Sequence, residues 1–370
     1  MANISRRQAS RLYLFFAPMH VDVIIIGQGI CGTFLSWNLM KLGKSVLVID
    51  ECKPFTSSRI ASGVINPVTG RRIVRTWMIE DLLPFAERSY QTFEKELNVE
   101  LIRQCNVLDF HSTLQMKEAF EKRLAEGETY LEHHDSTSWK NYFNFIYGIG
   151  EVNPCLLIDL NVLIDTWRSH LQQQDALLQE RFDIQQLQVT NEKIIYKDIT
   201  ADKIIFCDGV AAYANPYFSL LPFAPNKGEV LIIHIPGLPR TNIFKQGISI
   251  VPWKDDDLFW IGSSYQWTFD NDQPTESFRI KTENALRFWL KLPFKVVDHL
   301  AAVRPATIER RPFVGFHPVH TNVGIFNGMG TKGCSLAPYF GEQLAHHIIN
   351  GNAIAPEADV QRFKRILSNL

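Results

Sequence analysis

Residues 21–51, VDVIIIGQGICGTFLSWNLMKLGKSVLVIDE, decide the fold. An apolar run, a glycine turn, an amphipathic stretch and a second apolar run follow one another, which reads as strand, helix, strand. Ile24, Ile25 and Ile26 are β-branched and continuous, as in a parallel strand covered on both faces. Gly43 ends the helix before Val46, Leu47, Val48 and Ile49 form the second strand. Between strand and helix, Gly27, Gly29 and Gly32 make the spacing GxGxxG. The first glycine permits the tight turn, the second lets backbone approach a pyrophosphate, and the third lets helix and strand pack closely. Phosphates then rest on the helix N-terminus, with the amides of Ile30 and Cys31 among the expected contacts. Asp50 closes the second strand about 20 residues on, where a carboxylate accepts ribose hydroxyls, and Glu51 stands beside it. An aspartate there disfavours a ribose phosphate, so NAD and FAD both remain open.

The rest of the chain fits a sizeable globular enzyme. Its 370 residues are 46% apolar and 21% charged, with a formal net charge of -1, which gives no global pull toward nucleic acid. Cys31, Cys52, Cys105, Cys155, Cys207 and Cys334 form no CxxC pair, so they read as reduced thiols of a cytoplasmic protein. No apolar stretch is long enough for a membrane span. Arg6, Arg7 and Arg11 before the short run 12–17 imitate an export signal poorly; residues 1–20 are expected to form an N-terminal extension, and Met19 serves equally well as a start, which would leave residues 1–18 outside the protein proper. The pairs His133-His134 and His346-His347 point neighbouring side chains apart, so no metal site is expected.

Further along, a Ser-, Gly- and Arg-rich loop precedes a helical pattern over 79–97, and a second helix is expected over 113–125. The aromatic segment 142–147 is assigned to strands. Asp159 caps a helix whose apolar residues Leu160, Leu163, Ile164, Trp167 and Leu171 share one face. Residues 203–207 form a buried strand ending in Asp208-Gly209, GEVLIIHI reads as another, and residues 248–262 read as a hairpin turning at KDDD. A helix follows over 275–291. The chain closes with a strand over 323–326, the loop NGMGTKGCS and a helix over 336–349.

VRPATIERRPFVG, residues 303–315, resembles the RPxTxDxxPxxG signature of the FAD-dependent D-amino acid oxidase and glycine oxidase family, with Glu309 in place of the aspartate. NGMGTKGCSLAP, residues 327–338, is similar to that family's last flavin-binding loop. VNPCLLIDLNVLIDTW, KIIFCDG and KGEVLIIHI fall in the family's order, so the likeness covers nearly everything after Val21. SGVINP, residues 62–67, and GMGTKG also resemble the oxidase half of a bifunctional enzyme that modifies the wobble uridine of tRNA. The resemblance implies an α/β fold, with an FAD-binding Rossmann-like domain of the glutathione-reductase type interleaved with an α+β antiparallel-sheet substrate domain. The expected division is 21–88, 150–215 and 301–370 for FAD, and 89–149 with 216–300 for substrate.

What the family implies for function is an oxidase or dehydrogenase acting on the C–N bond of a small carboxylated amine by hydride transfer to flavin. Oxygen or another carrier would accept the electrons, and oligomeric state is left open. FAD should be bound without a covalent link, because Ala302 stands where sarcosine oxidases carry the attaching cysteine. Arg304 would grip the substrate carboxylate, a task suited to a guanidinium fork. Gly328, Gly330, Thr331, Lys332 and Gly333 would line the ring, with Lys332 adding charge. Thr331 replaces an arginine of glycine oxidases, which puts glycine itself in doubt as substrate. Ser57, Ser58, Ser62, Gly63 and Gly209 complete the expected cofactor contacts. Tyr265 and Trp253 flank the hairpin that should roof the pocket, as ligand contacts or simply as core aromatics. Asn66, Arg71, Arg72 and Arg75 give a basic loop for an acidic or phosphorylated substrate, or simply a solvated turn. The alternative functions are a tRNA wobble-uridine enzyme with the same flavin chemistry and a flavoprotein without turnover.

Overall fold

The computed structural model describes residues 19–70, 72–254 and 257–368. The N-terminal extension up to residue 18, Arg71 and the middle of the KDDD turn lie outside them.

The strand Met19–Ile26 sits at the centre of an eight-stranded sheet. It runs parallel to Val46–Ile49 on one side and to Ile199–Phe206 on the other, so that Ile25 lies opposite both Val48 and Ile205. Leu177–Leu178 and Val323–Asn327 extend the parallel set outward. Successive side chains of a strand face opposite sides. Val23, Ile25 and Val48 therefore enter the core beneath the helices, while Ile24, Ile26 and Leu47 enter the core on the other face. Burial on both faces is the physical reason for the unbroken β-branched run.

A second eight-stranded sheet runs in the order Lys295–Arg304, Asn226–His234, Leu258–Gly262, Ile248–Pro252, Ile243–Gln246, Val107–Phe110, Ile149–Val152, Leu131–His133. It is antiparallel apart from the pairing of Ile243–Gln246 with Val107–Phe110. Its two faces are also both covered. The strands Ile149–Val152 and Lys295–Arg304 belong to this sheet, so the expected boundaries at 150 and 301 cut through strands. The helix Ile79–Leu97 forms as its periodicity predicts and buries Ile79, Leu82 and Tyr90 in the core of the first unit, including its stretch past residue 88.

Two expectations change. Residues 142–147 make only a single bridge, at Phe143, and no strand. Their aromatics pack as a cluster instead, with Phe143 4.8 Å from the rings of both Phe110 and Trp289. The closing helix begins at Gly333, three residues before Leu336, and runs to Asn350. Pro338 lies inside it and lacks the amide that would bond to Cys334. The Tyr90 hydroxyl donates to the Cys334 carbonyl instead, at 3.0 Å.

Candidate active site

The first strand delivers the glycine loop to the end of the parallel sheet. Gly27 adopts a φ of 96°, and a Cβ on it would lie 2.6 Å from the Cys207 carbonyl oxygen. A Cβ on Gly32 would lie 1.9 Å from the Gly27 carbonyl oxygen, so helix and strand approach as only glycine allows. The helix Ile30–Lys41 starts at Gly29 with no side-chain cap and no acid in its first turn. Apart from the Ile30 amide, its leading amides are left to an anion. Ile30 N donates to Ser58 Oγ at 3.1 Å, which draws the short helix Ser57–Ile60 against the loop.

Asp50 stands where the sequence places it, and it is already engaged. Its Oδ2 accepts from Gln28 N at 2.9 Å, and its Oδ1 accepts from Cys52 N at 2.8 Å and Arg168 Nη1 at 2.9 Å. A carboxylate has about four acceptor positions, so room remains for a ribose hydroxyl. Arg168, from the helix capped by Asp159, also donates to Gln28 Oε1, and its Nη2 is buried without a partner. Nothing in the sequence singles out Arg168, since it lies far from the motif along the chain.

The second glycine loop meets the first. Gly333 opens the closing helix, and a Cβ on it would lie 3.3 Å from Ile30 Cγ2, so the two helix starts adjoin. Gly330 N donates to the Pro305 carbonyl at 3.2 Å, tying this loop to the segment that carries Arg304. Asn327 Nδ2 donates to the Gly209 carbonyl at 2.9 Å, and Asn327 Oδ1 accepts from Gly328 N. Lys332 Nζ contacts Thr76 Oγ1 at 3.3 Å, and burial pushes its pKa down to about 8. Asp208, beside Gly27, is pushed up to about 7 by burial. Both side chains are deep enough for desolvation to dominate, yet both keep partial contact with solvent. The two glycine loops, the uncapped helix starts and Asp50 gather at the ends of the parallel strands Met19–Ile26, Val46–Ile49 and Val323–Asn327, an arrangement that suits a dinucleotide.

Arg304 ends a strand of the second sheet. Nη1 donates to Asn226 Oδ1 at 2.7 Å and to the Ser264 carbonyl at 3.2 Å, and Nη2 donates to Ser263 Oγ at 2.8 Å. The Tyr265 ring stands 4.7 Å from its Cζ. No ion pair to Arg304 is found among the described residues, and burial pushes its pKa down. A guanidinium has five donors, and three are used here, which leaves two for a ligand.

Several expected residues lie elsewhere. Glu51 turns outward to Lys53 at 2.7 Å, and Thr331 is exposed. Gly63 packs against the Ile158 carbonyl. Ser62 and Trp253 line a separate cleft of about 500 Å³ with Arg103, Asp159 and Arg240, a cleft that contains neither glycine loop. Trp253 therefore does not roof Arg304, whereas Tyr265 does. Arg75 is matched by Glu80 at 2.6 Å and Glu128 at 3.0 Å, so this arginine of the basic loop is neutralised in place, while Arg71 lies outside the described residues. His134 bonds Glu151 and Trp139, and His347 bonds the Asn352 carbonyl. All six cysteines are free thiols. Among the described residues no helix is long and apolar enough to cross a membrane.

The family model for FAD dependent oxidoreductases matches residues 22–347. The chain belongs to this family. It is an FAD-dependent enzyme. A curated relative, glycine oxidase of Bacillus subtilis (strain 168), is 23% identical over 357 residues, covering 90% of this chain and 94% of its own. Among solved structures, glycine oxidase from Geobacillus kaustophilus superposes with a TM-score of 0.75 at 14% identity, covering 91% of this chain and 96% of that one. Iminodiacetate oxidase from Chelativorans sp. BNC1 gives 0.71 at 20% identity, covering 93% and 98%. These structures share the fold of this family member.

Proposed function

We propose that this chain oxidises the carbon–nitrogen bond of a small carboxylated amine, an amino acid or an N-substituted glycine. The observation that carries the reading is Arg304, a half-buried cation with two spare donors and no carboxylate of the protein to meet them. An unpaired charge away from bulk water is costly, and a ligand carboxylate in a forked contact offsets that cost. The relatives named for glycine and iminodiacetate act on carboxylated amines, which supports the same chemistry here.

Bound FAD supplies the hydride acceptor. The chain's own residues do the rest. Asn226, Ser263 and Ser264 fix the guanidinium so that it presents one face, and Tyr265 covers it. The substrate is thereby oriented before reaction, and orientation is the larger part of what a protein adds to cofactor chemistry. Lys332 and the uncapped start of the closing helix place positive potential at the second glycine loop. With Thr331 exposed, the arginine that glycine oxidases use there has no counterpart, so an N-substituted glycine suits the site better than glycine.

Anaerobic addition of sarcosine, iminodiacetate, glycine, proline and D-amino acids to the yellow protein tests the proposal, with bleaching of flavin absorbance expected for at least one. Readmission of air then reads whether oxygen is the acceptor. Arg304→Leu should raise KM for the active amine by about ten- to hundredfold while FAD stays bound, because a charged hydrogen bond contributes about 1.5–3 kcal/mol. An unchanged KM would remove Arg304 from the site. A tRNA band shift together with no bleaching by any amine would redirect the reading to a nucleic acid substrate.

A further inference from the structure

Asp208 lies two residues beyond the strand Ile199–Phe206 and abuts the first glycine of the pyrophosphate loop: a Cβ on Gly27 would lie 3.4 Å from Asp208 Cα. A charged residue here is unexpected, because an anion beside a phosphate site opposes the ligand. It does not serve as a helix cap, since its side chain makes no cap bond to the short turn Gly209–Ala214 that follows. Its Oδ1 accepts from Asn327 Nδ2 at 3.1 Å, and its Oδ2 accepts from Asn215 Nδ2 at 3.4 Å. Both partners are uncharged amides. The other titratable groups facing it are the thiols of Cys31, on the glycine helix, and Cys207, its chain neighbour, and burial holds both protonated. No ion pair to Asp208 is found among the described residues.

We infer that Asp208 binds the cofactor as a neutral carboxylic acid, so that FAD uptake by the apoprotein above neutral pH draws in one proton. The carboxyl lacks a counter-cation, lies deep beside the glycine loop and keeps some exposure to solvent. Two of its acceptor positions are filled by amides, and a proton on the carboxyl turns a repelling oxygen into a donor. In the free protein burial already moves the carboxyl up to about 7 against the pull of the two amides, so above neutral pH it is mostly ionised and has a proton to gain. Cofactor phosphates on the same loop add negative charge and move it further in the same direction. FAD binding therefore raises the pKa of Asp208, and affinity falls as pH climbs through the value in the free protein.

Calorimetric titration of the apoprotein with FAD at pH 8, in two buffers of different ionisation enthalpy, reads the proton directly. Uptake approaching one proton per FAD is expected. Kd for FAD, followed by flavin fluorescence, should weaken by about tenfold per pH unit between pH 7.5 and 9. ADP, which carries the phosphates without the ring, should show the same uptake. Asp208→Asn should abolish the uptake and flatten the pH profile, and Asp208→Ser gives the same reading should the amide variant fold poorly. Wild-type protein that takes up no proton, uptake with FAD but none with ADP, or an Asp208→Asn variant that takes up as many protons as wild type would each overturn the inference.

Discussion

Gly228 leaves no room for a side chain, because a Cβ on it would lie 2.0 Å from Arg304 Nη2 and 2.3 Å from Cζ. The missing methyl is what lets the guanidinium lie flat against its neighbouring strand and reach Asn226 and Ser263. Gly228→Ala should therefore act as a milder Arg304 variant. KM for the carboxylated amine should rise by about tenfold as the fork is pushed off its partners, with the flavin spectrum and FAD affinity unchanged. Steady-state kinetics on the variant checks this, and an unaltered KM would mean that the guanidinium relaxes freely. The RPxT resemblance singles out Arg304 in the sequence. Nothing there singles out Gly228, since GEVLIIHI reads as a plain strand and only the pairing of Gly228 with Ala302 reveals what crosses it. Asp208 and Arg168 were hidden in the same way: one follows a buried strand, the other sits on an amphipathic helix, and both matter through neighbours distant in sequence.

The closing helix shows how an element's start can be misread for a physical reason. Apolar periodicity begins at Leu336 and glycine is a poor helix former, so pattern alone puts Gly333 in the loop. The helix nevertheless starts at Gly333, where a larger residue would crowd Ile30. Packing against the first glycine helix outweighs local propensity. Pro338 then opens a gap in the hydrogen-bond ladder that the Tyr90 hydroxyl fills from the helix Ile79–Leu97. Tyr90→Phe keeps the ring contacts with Phe34 but leaves the buried Cys334 carbonyl without that donor. The expected cost is about 1–3 kcal/mol, seen as a lower Tm, together with weaker FAD binding because the same turn begins at the flavin loop. A Tm equal to wild type would mean that water replaces the hydroxyl. At the other end of the site, Glu229 is fully buried and accepts from Gln266 Nε2 and from the hydroxyl of Thr275. It thereby anchors the segment whose first residues hold Arg304.

At the scale of the whole molecule, the return of parallel strands late in the chain was readable as interleaving. The boundaries were not, because Ile149–Val152 and Lys295–Arg304 are fixed by pairing with strands far off in sequence. The two units are joined by more than the chain. Ile60 and Val68 from the loop after Asp50 share a core with Val230 and Trp260 of the second sheet, and Trp260 Nε1 donates to the Ile60 carbonyl at 2.8 Å. The same loop carries Ser58, which meets the glycine helix. A ligand that orders this loop therefore stabilises both units together. FAD binds the folded chain alone, so it should stabilise by about 2.7 kcal/mol at a hundred times Kd and by about 4.1 kcal/mol at a thousand times. Calorimetric melts of apoprotein across that range of FAD should show one transition moving upward as a whole. Two transitions, with only the first-sheet unit responding to FAD, would mean that the Ile60–Trp260 junction is too weak to couple them and that Arg304 is held to the flavin by the chain alone.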